Sequence, residues 1–184
     1  VLQAMQYLRS YWLGGLLLAL LSSCAEPMKL QGFRGQTMGS TYEVKLVTKL
    51  PLSDLVVLVN QELAAFDVAF SNWRESSEIV RVNAHVSTEP MAVSDRFADV
   101  LEQALVIAAA TDGAYDPTLK PLSDLYRRAK QNPDLGLMDE ELQKANERVG
   151  YRMISVEGGK LVKQRPDLEI DLDGIVAGAA ADAI

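Results

Sequence analysis

The sequence predicts a domain that mixes helices and strands, and three observations carry this. Tyr42, Val44 and Leu46 alternate with polar residues, the period of a half-buried strand. Leu55, Val59, Leu63, Phe66 and Phe70 recur at helical spacing, as do Phe97, Val100, Leu101, Ala104, Leu105 and Ala108. Tyr151–Val156 and Lys160–Lys163 flank Glu157-Gly158-Gly159, a Gly-Gly hairpin signal. At 184 residues the chain is long enough for one domain with a real core.

The totals exclude several function classes. With 18 basic and 25 acidic residues and no basic block, the chain is not built for nucleic acid, whose phosphates need clustered Lys and Arg. One cysteine rules out an internal disulfide and a thiolate zinc cage. One histidine, His85, argues against a His-rich metal site or a Ser-His-Asp triad. Any bound metal would take oxygen ligands, which favours Mg²⁺ or Ca²⁺.

The first segment reads as an address. Arg9 is the only charge among the first 25 residues, and Tyr11–Leu21 is an apolar run of signal-peptide length, short for a membrane span. Leu21-Ser22-Ser23-Cys24 then resembles the lipobox of bacterial lipoproteins, in which the cysteine is acylated and becomes the first mature residue. Residues 1–23 are accordingly expected to be a lipoprotein signal peptide, with 24–35 the lipidated Cys24 and a tether and 36–184 the functional domain. The lipid would anchor a soluble body to a bacterial membrane, facing the periplasm.

The body follows in order. Pro27 to Gly35 reads as tether. Gly39, just before the strand over 41–48, suggests close approach by a neighbouring strand or a ligand. Ser53 is the expected cap of the first helix, which ends at Ser71-Asn72. Trp73 then sits in a loop, either as a lid over the core or as a stacking platform for a planar ring. Ser76 or Ser77 caps a short helix with Glu78 in its first turn. Met91-Ala92-Val93 reads as a short strand, and Ser94 caps the next helix.

That helix runs into Thr111-Asp112-Gly113-Ala114-Tyr115-Asp116-Pro117-Thr118, around which the rest is organised. Gly113 can close the helix in a left-handed conformation, and Pro117 biases Asp116 toward extended backbone. As a plain element this is a helix cap and a turn. As a functional one it gathers a carboxylate, an aromatic face and free amides at one corner. Further on, Asn132-Pro133-Asp134 reads as a loop, Asp139–Val149 as an amphipathic helix ending at Gly150, and Leu168–Leu172 as a strand. The final run, Asp171-Leu172-Asp173-Gly174-Ile175-Val176-Ala177-Gly178 onward, is a strand-to-helix turn that puts helical amides beside a carboxylate, a start suited to phosphate. The chain opens on Val1 and closes within this helical run, so the sequence is expected to be part of a longer protein.

Four pieces stand in order: Thr37-Met38-Gly39-Ser40-Thr41-Tyr42; Phe70-Ser71-Asn72-Trp73 through Ser77-Glu78-Ile79 to Asn83-Ala84; Thr111–Thr118 with Pro121-Leu122; and Asp171-Leu172-Asp173-Gly174-Ile175 to Gly178. Together they resemble the amino-terminal part of the ApbE family, the FAD:protein FMN transferases. The resemblance implies an α+β fold with a mixed or antiparallel sheet packed with helices, incomplete at its carboxy terminus. It implies Mg²⁺-dependent transfer of the FMN moiety of FAD to a threonine of a partner protein, with release of AMP. The partner it implies is a subunit of a membrane redox pump. It implies cofactor-binding roles for Met38, Trp73, Ala114, Tyr115, Asp116 and Asp171, and a Mg²⁺ contact from the Gly174 carbonyl. The family usually carries Lys where this chain has Ala177, so the expected catalytic cation has no counterpart there. The alternatives left open are a periplasmic FAD-binding lipoprotein and an FAD diphosphatase, neither with transferase activity. Since the family's metal site draws on a carboxy-terminal half, the 184-residue chain alone is expected to be weak or inactive.

Overall fold

A computed structural model describes residues 27–184. The lipobox reading at Cys24 and the signal segment before it lie outside the described residues. Strands β1 (Lys29–Thr37) and β2 (Ser40–Thr48) form an antiparallel hairpin whose register runs from Lys29 opposite Thr48 to Thr37 opposite Ser40. The two loop residues, Met38 and Gly39, have φ of 47° and 72°. Two consecutive positive φ values suit a tight turn whose twist matches that of the strands.

One expectation is corrected here. Lys29–Gly35 is strand, not tether. Its glycines hid the pattern, and at Gly35 a Cβ would run into the Tyr42 ring opposite. Gly39 has no protein atom within 4 Å of a would-be Cβ, so of the two approaches expected there it is not a neighbouring strand that needs the glycine.

Helix α1 (Leu52–Phe70) buries Leu55, Val59, Leu63, Phe66 and Phe70 as its spacing predicts. Its cap is Pro51 and not Ser53, which lies in the first turn and donates to Asp54. Helix α2 (Glu78–Ala84) is capped by Ser77, which accepts from the Val80 amide. Helix α3 (Asp95–Ala110) is capped by Ser94. The Ser94 amide and hydroxyl also donate to the Glu78 carboxylate at 2.7 and 2.6 Å, so the starts of α2 and α3 are tied together. Phe97 of α3 is fully buried and stacks on Phe70 with ring centroids 5.4 Å apart. Burial on this scale contributes roughly 2–3 kcal/mol per ring. Leu105, expected in the same stripe, is only partly buried.

Helix α4 (Lys120–Gln131) leads to a 3-10 turn over Pro133–Leu135, where a loop was expected. Helix α5 (Asp139–Asn146) ends three residues short of the expected Val149. Strands β3 (Met91–Ala92), β4 (Ile154–Glu157) and β5 (Lys160–Lys163) make an antiparallel sheet in the order β3-β5-β4. Gly158 and Gly159 turn the β4–β5 hairpin with φ of 57° and 74°.

Leu168–Leu172 is also corrected, because it is not a strand of either sheet. Leu168, Ile170 and Leu172 are fully buried in alternation, which is the pattern a strand would show. The backbone is held otherwise: Asn83 brackets Ile170 with its carboxamide, and the Asp171 amide donates to the Pro117 carbonyl at 2.7 Å. Helix α6 (Asp173–Asp182) follows and packs on α1 and α3 through Val176 and Ala180. Among the described residues no helix is long and apolar enough to cross a membrane.

Candidate functional site

A cavity of about 660 Å³ lies between the β1–β2 hairpin, the end of α1 and α6. Thr37, Met38, Tyr42 and Val44 line it from the hairpin, Leu63 and Phe70 from α1, and Val176, Ala177 and Ala180 from α6. The small residues of α6 leave the space open, because larger side chains there would fill it. The volume is in the range that takes a drug-sized or cofactor-sized ligand. A smaller, polar cavity of about 260 Å³ adjoins it, lined by Val80, Asn83, Lys120, Asp124, Arg127 and Asp171. Asn72, Trp73 and Asp173 line both and form the shared wall.

That wall is the polar edge of the site. Trp73 is 90% exposed. It is therefore no lid over the core, and its ring is free to stack. Asn72 donates to Asp173 Oδ1 at 2.9 Å, and Asp173 donates its own amide to Asp171 Oδ1 at 2.9 Å. Burial pushes the Asp173 carboxyl up from the usual aspartate range, and the neighbouring Asp171 charge pushes it the same way, while Asn72 and Arg127 oppose them.

The corner at 111–118 is closed by its own hydrogen bonds. Asp112 and Gly113 take φ of 48° and 82°, and Gly113 donates to the Ala108 carbonyl to finish α3. The buried Asp116 carboxylate accepts from the Thr118 amide at 2.8 Å, the Thr118 hydroxyl at 2.6 Å and the Tyr151 amide at 2.9 Å. Thr118 in turn accepts from the Gly150 amide at 2.7 Å. Tyr115 differs. Its ring packs on the start of α6, where a Cβ on Gly174 would fall 3.2 Å from Cε2. Its hydroxyl is buried without a hydrogen-bond partner among the described residues. Burial, helped by the Asp171 and Asp116 charges, pushes the phenol up to about 12.

Comparison with known proteins decides the family. A model described as the ApbE family matches residues 38–184. The chain belongs to the ApbE family. An FAD:protein FMN transferase of Vibrio cholerae serotype O1 is 33% identical over 171 residues, which cover 91% of this chain and 51% of that protein. One of Salmonella typhimurium is 31% identical over 159 residues, covering 83% of this chain and 45% of that protein. Among solved structures, the flavinyl transferase ApbE of Pseudomonas stutzeri in its apo form superposes with a TM-score of 0.77 at 30% identity, covering 86% of this chain and 51% of that one. The flavin transferase ApbE of Vibrio cholerae gives 0.74 at 30%, covering 85% and 53%. The α+β fold, with antiparallel sheets packed against helices, is thus the ApbE fold in part. The chain spans about half the length of the curated relatives it matches.

Within this ApbE chain, the residues singled out from sequence fall into two groups. Met38, Trp73 and Ala177 line the large cavity, and Asp171 lines the adjoining one. Ala114, Tyr115, Asp116 and Gly174 line neither, although Tyr115 and Gly174 pack together behind the wall. Sequence reasoning did not single out Asn72, Asn83 or Asp173. For Asp173 a signal existed, since it stands two residues after Asp171 in a helix's first turn; Asn83 stood in one of the four pieces of the resemblance, with nothing there to mark its hydrogen bonds to Ile170.

The donors available to a metal are few. Among the described residues no three His, Cys, Asp or Glu side chains gather closely enough to hold one. His85 makes its contact to the Glu89 carbonyl. What the wall offers is the Asp171–Asp173 carboxylate pair. That suits the way Mg²⁺ is usually held, by one or two carboxylates with substrate phosphates and water in the other positions.

Proposed function

We propose that this chain is the amino-terminal part of an FAD:protein FMN transferase. The observation that carries the reading is the shared wall, where an exposed indole and the Asp173 carboxylate stand between a large, mainly apolar cavity and a small polar one that Asp171 also lines. Family membership supports it. In the reaction, a threonine hydroxyl of the acceptor attacks the FMN phosphorus of FAD. The new bond joins that phosphorus to the threonine oxygen, the bond to the bridging oxygen breaks, and AMP leaves with the bridging oxygen. The hydroxyl proton passes to a base or solvent.

The chain's own residues have separate tasks. Trp73 offers a face to a planar ring and Met38 and Val44 give it apolar walls. Tyr115 packs its ring on the start of α6 at Gly174 and so supports the wall from behind. Asn72 fixes the rotamer of Asp173. Asp171, Asp173 and the Gly174 carbonyl are the donors we assign to Mg²⁺, which when bound draws charge from the diphosphate. Cys24 is assigned a lipid that holds the body at a bacterial membrane on the periplasmic side, within reach of an acceptor in a membrane redox pump.

A second reading rests on one observation. Ala177 lines the cavity where a lysine would neutralise diphosphate charge, and alanine cannot. That favours FAD binding, or FAD hydrolysis, over transfer. Fluorescence quenching of FAD by the purified protein, with and without Mg²⁺, followed by incubation with a threonine-bearing acceptor peptide, separates the readings. Quenching strengthened by Mg²⁺, with flavin fluorescence becoming covalently fixed to the peptide, is the outcome for a transferase. FMN and AMP appearing without peptide labelling identify a diphosphatase. Absence of quenching by the folded protein overturns the site.

A further inference from the structure

The segment that carries Asp171 has the burial pattern of a strand but no strand beside it. Its place is taken by one side chain. Asn83 Nδ2 donates to the Ile170 carbonyl at 2.9 Å, and the Ile170 amide donates to Asn83 Oδ1 at 2.8 Å. A carboxamide thus satisfies both polar groups of one residue, as a neighbouring strand would. The next amide, that of Asp171, donates to Pro117. The Asp171 carboxylate then receives the Asp173 amide, which opens α6.

Asn83 itself needs support. It lies near the end of α2, a helix of seven residues, and helices this short have little stability of their own. Their last carbonyls also lack partners within the helix. Here the ammonium of Lys163, from β5, adds a donor at that end. It donates to the Val82 carbonyl at 2.7 Å and to the His85 carbonyl at 2.9 Å. Lys163 is 1% exposed. A buried ammonium is costly unless it is well bonded, so this lysine is a poor choice for a position that needs only bulk. Burial holds its pKa below the ordinary lysine value, opposed by Glu169 and Asp167.

We infer that Asn83 is a positioning residue that sets Asp171 and Asp173 at the wall between the two cavities, and that Lys163 acts through it by holding the end of α2. The inference rests on the FAD-binding reading of that wall. Asn83 also lines the small cavity beside both carboxylates, so a shift of its side chain is felt there and not only in the core.

The test compares FAD binding with stability. N83A is expected to weaken FAD binding about tenfold, the size of a pair of lost hydrogen bonds. A core variant away from the site, I154V, with a similar loss of thermal midpoint, is expected to leave FAD binding unchanged. K163M, which fills the same space without the donor, should weaken binding in the same direction. The N83A/K163M double variant should bind no more weakly than N83A alone, because both changes act through one contact. N83D keeps the shape and the acceptor but exchanges the donor for a carboxylate oxygen and a charge, and it carries the test if N83A does not fold. Wild-type affinity in N83A or N83D, measured well below the midpoint, overturns the inference, as does a double variant whose effect is the product of the singles. Wild-type protein that takes up no FAD overturns the reading of the wall, and this inference with it.

Discussion

The corner at Thr111–Thr118 and the wall at Asn72–Trp73 with Asp171–Asp173 use the same kinds of residue to opposite ends. In the corner, Asp116 has three donors around it and stands buried, so its carboxylate is part of the fold. At the wall, Asp173 holds one amide donor and faces two cavities, and Trp73 has almost no protein contact. A carboxylate whose hydrogen bonds are filled by its own chain stabilises the structure. One whose bonds are left open is available to a ligand. Residue type alone does not separate the two.

Breaking the corner should show the largest effect. D116A leaves the buried Thr118 amide and hydroxyl and the partly buried Tyr151 amide without their acceptor, and unsatisfied buried groups cost about 1–3 kcal/mol each. We expect about 3 kcal/mol lost from unfolding stability, read from denaturant midpoints at unchanged slope. If D116A instead keeps its stability and loses only FAD binding, the contrast between the regions fails.

The wall should respond the other way. W73A removes an exposed ring, so stability should stay within about 0.5 kcal/mol of wild type. FAD binding should weaken roughly five- to tenfold, in line with the loss of an aromatic stacking contact. Titration of FAD fluorescence against each variant measures this directly. Equal affinity of W73A and wild type would return Trp73 to the status of an incidental surface residue.

Tyr115 joins the two regions and sharpens the comparison. Its hydroxyl is buried and has no partner among the described residues, so Y115F should stabilise the free protein by about 1 kcal/mol and leave FAD binding unchanged. Its phenol is raised from 10.0 to about 12. A raised folded pKa gives a contribution that is full below pH 10 and lost as pH climbs through about 12. Wild-type stability should therefore fall more steeply over that interval than that of Y115F, as followed by circular dichroism.

What was legible in the sequence follows from how local each signal is. Helix stripes and the Gly-Gly hairpin depend on residues a few positions apart, and α1, α2, α3 and the β4–β5 turn came out where their spacing predicts, although Pro51 and not Ser53 caps α1 and Tyr151–Met153 is a 3-10 turn before β4. β1 was missed because Gly35 is explained only by Tyr42 across the turn. Leu168–Leu172 was misread because alternation reports burial on one face, not what satisfies the backbone; the partner here is Asn83, 87 residues earlier. For the site, motif resemblance named Met38, Trp73, Asp171 and Asp116 alike. What sets Asp116 apart is that its carboxylate is filled by Thr118 and by the Tyr151 amide, and Tyr151 lies far along the chain.

The smallest effect belongs to Asp173, and its sign is informative. Burial and the Asp171 charge raise its carboxyl above 3.8, so the folded protein favours the protonated form. The corresponding stability is present below pH 3.8 and lost as pH rises through the raised value. At neutral pH the ionised group is thus a slight burden on the free protein, reduced by water because the site is partly open. D173N, which can still bond to Asn72, should melt slightly higher than wild type at pH 7 and no higher in acid. A bound cation inverts this, since it stabilises the ionised pair. Adding Mg²⁺ with FAD should raise the midpoint of the wild type and leave D173N behind. If D173N gains as much from Mg²⁺ and FAD as wild type does, Asp173 is a passive part of the wall and the metal donors lie elsewhere.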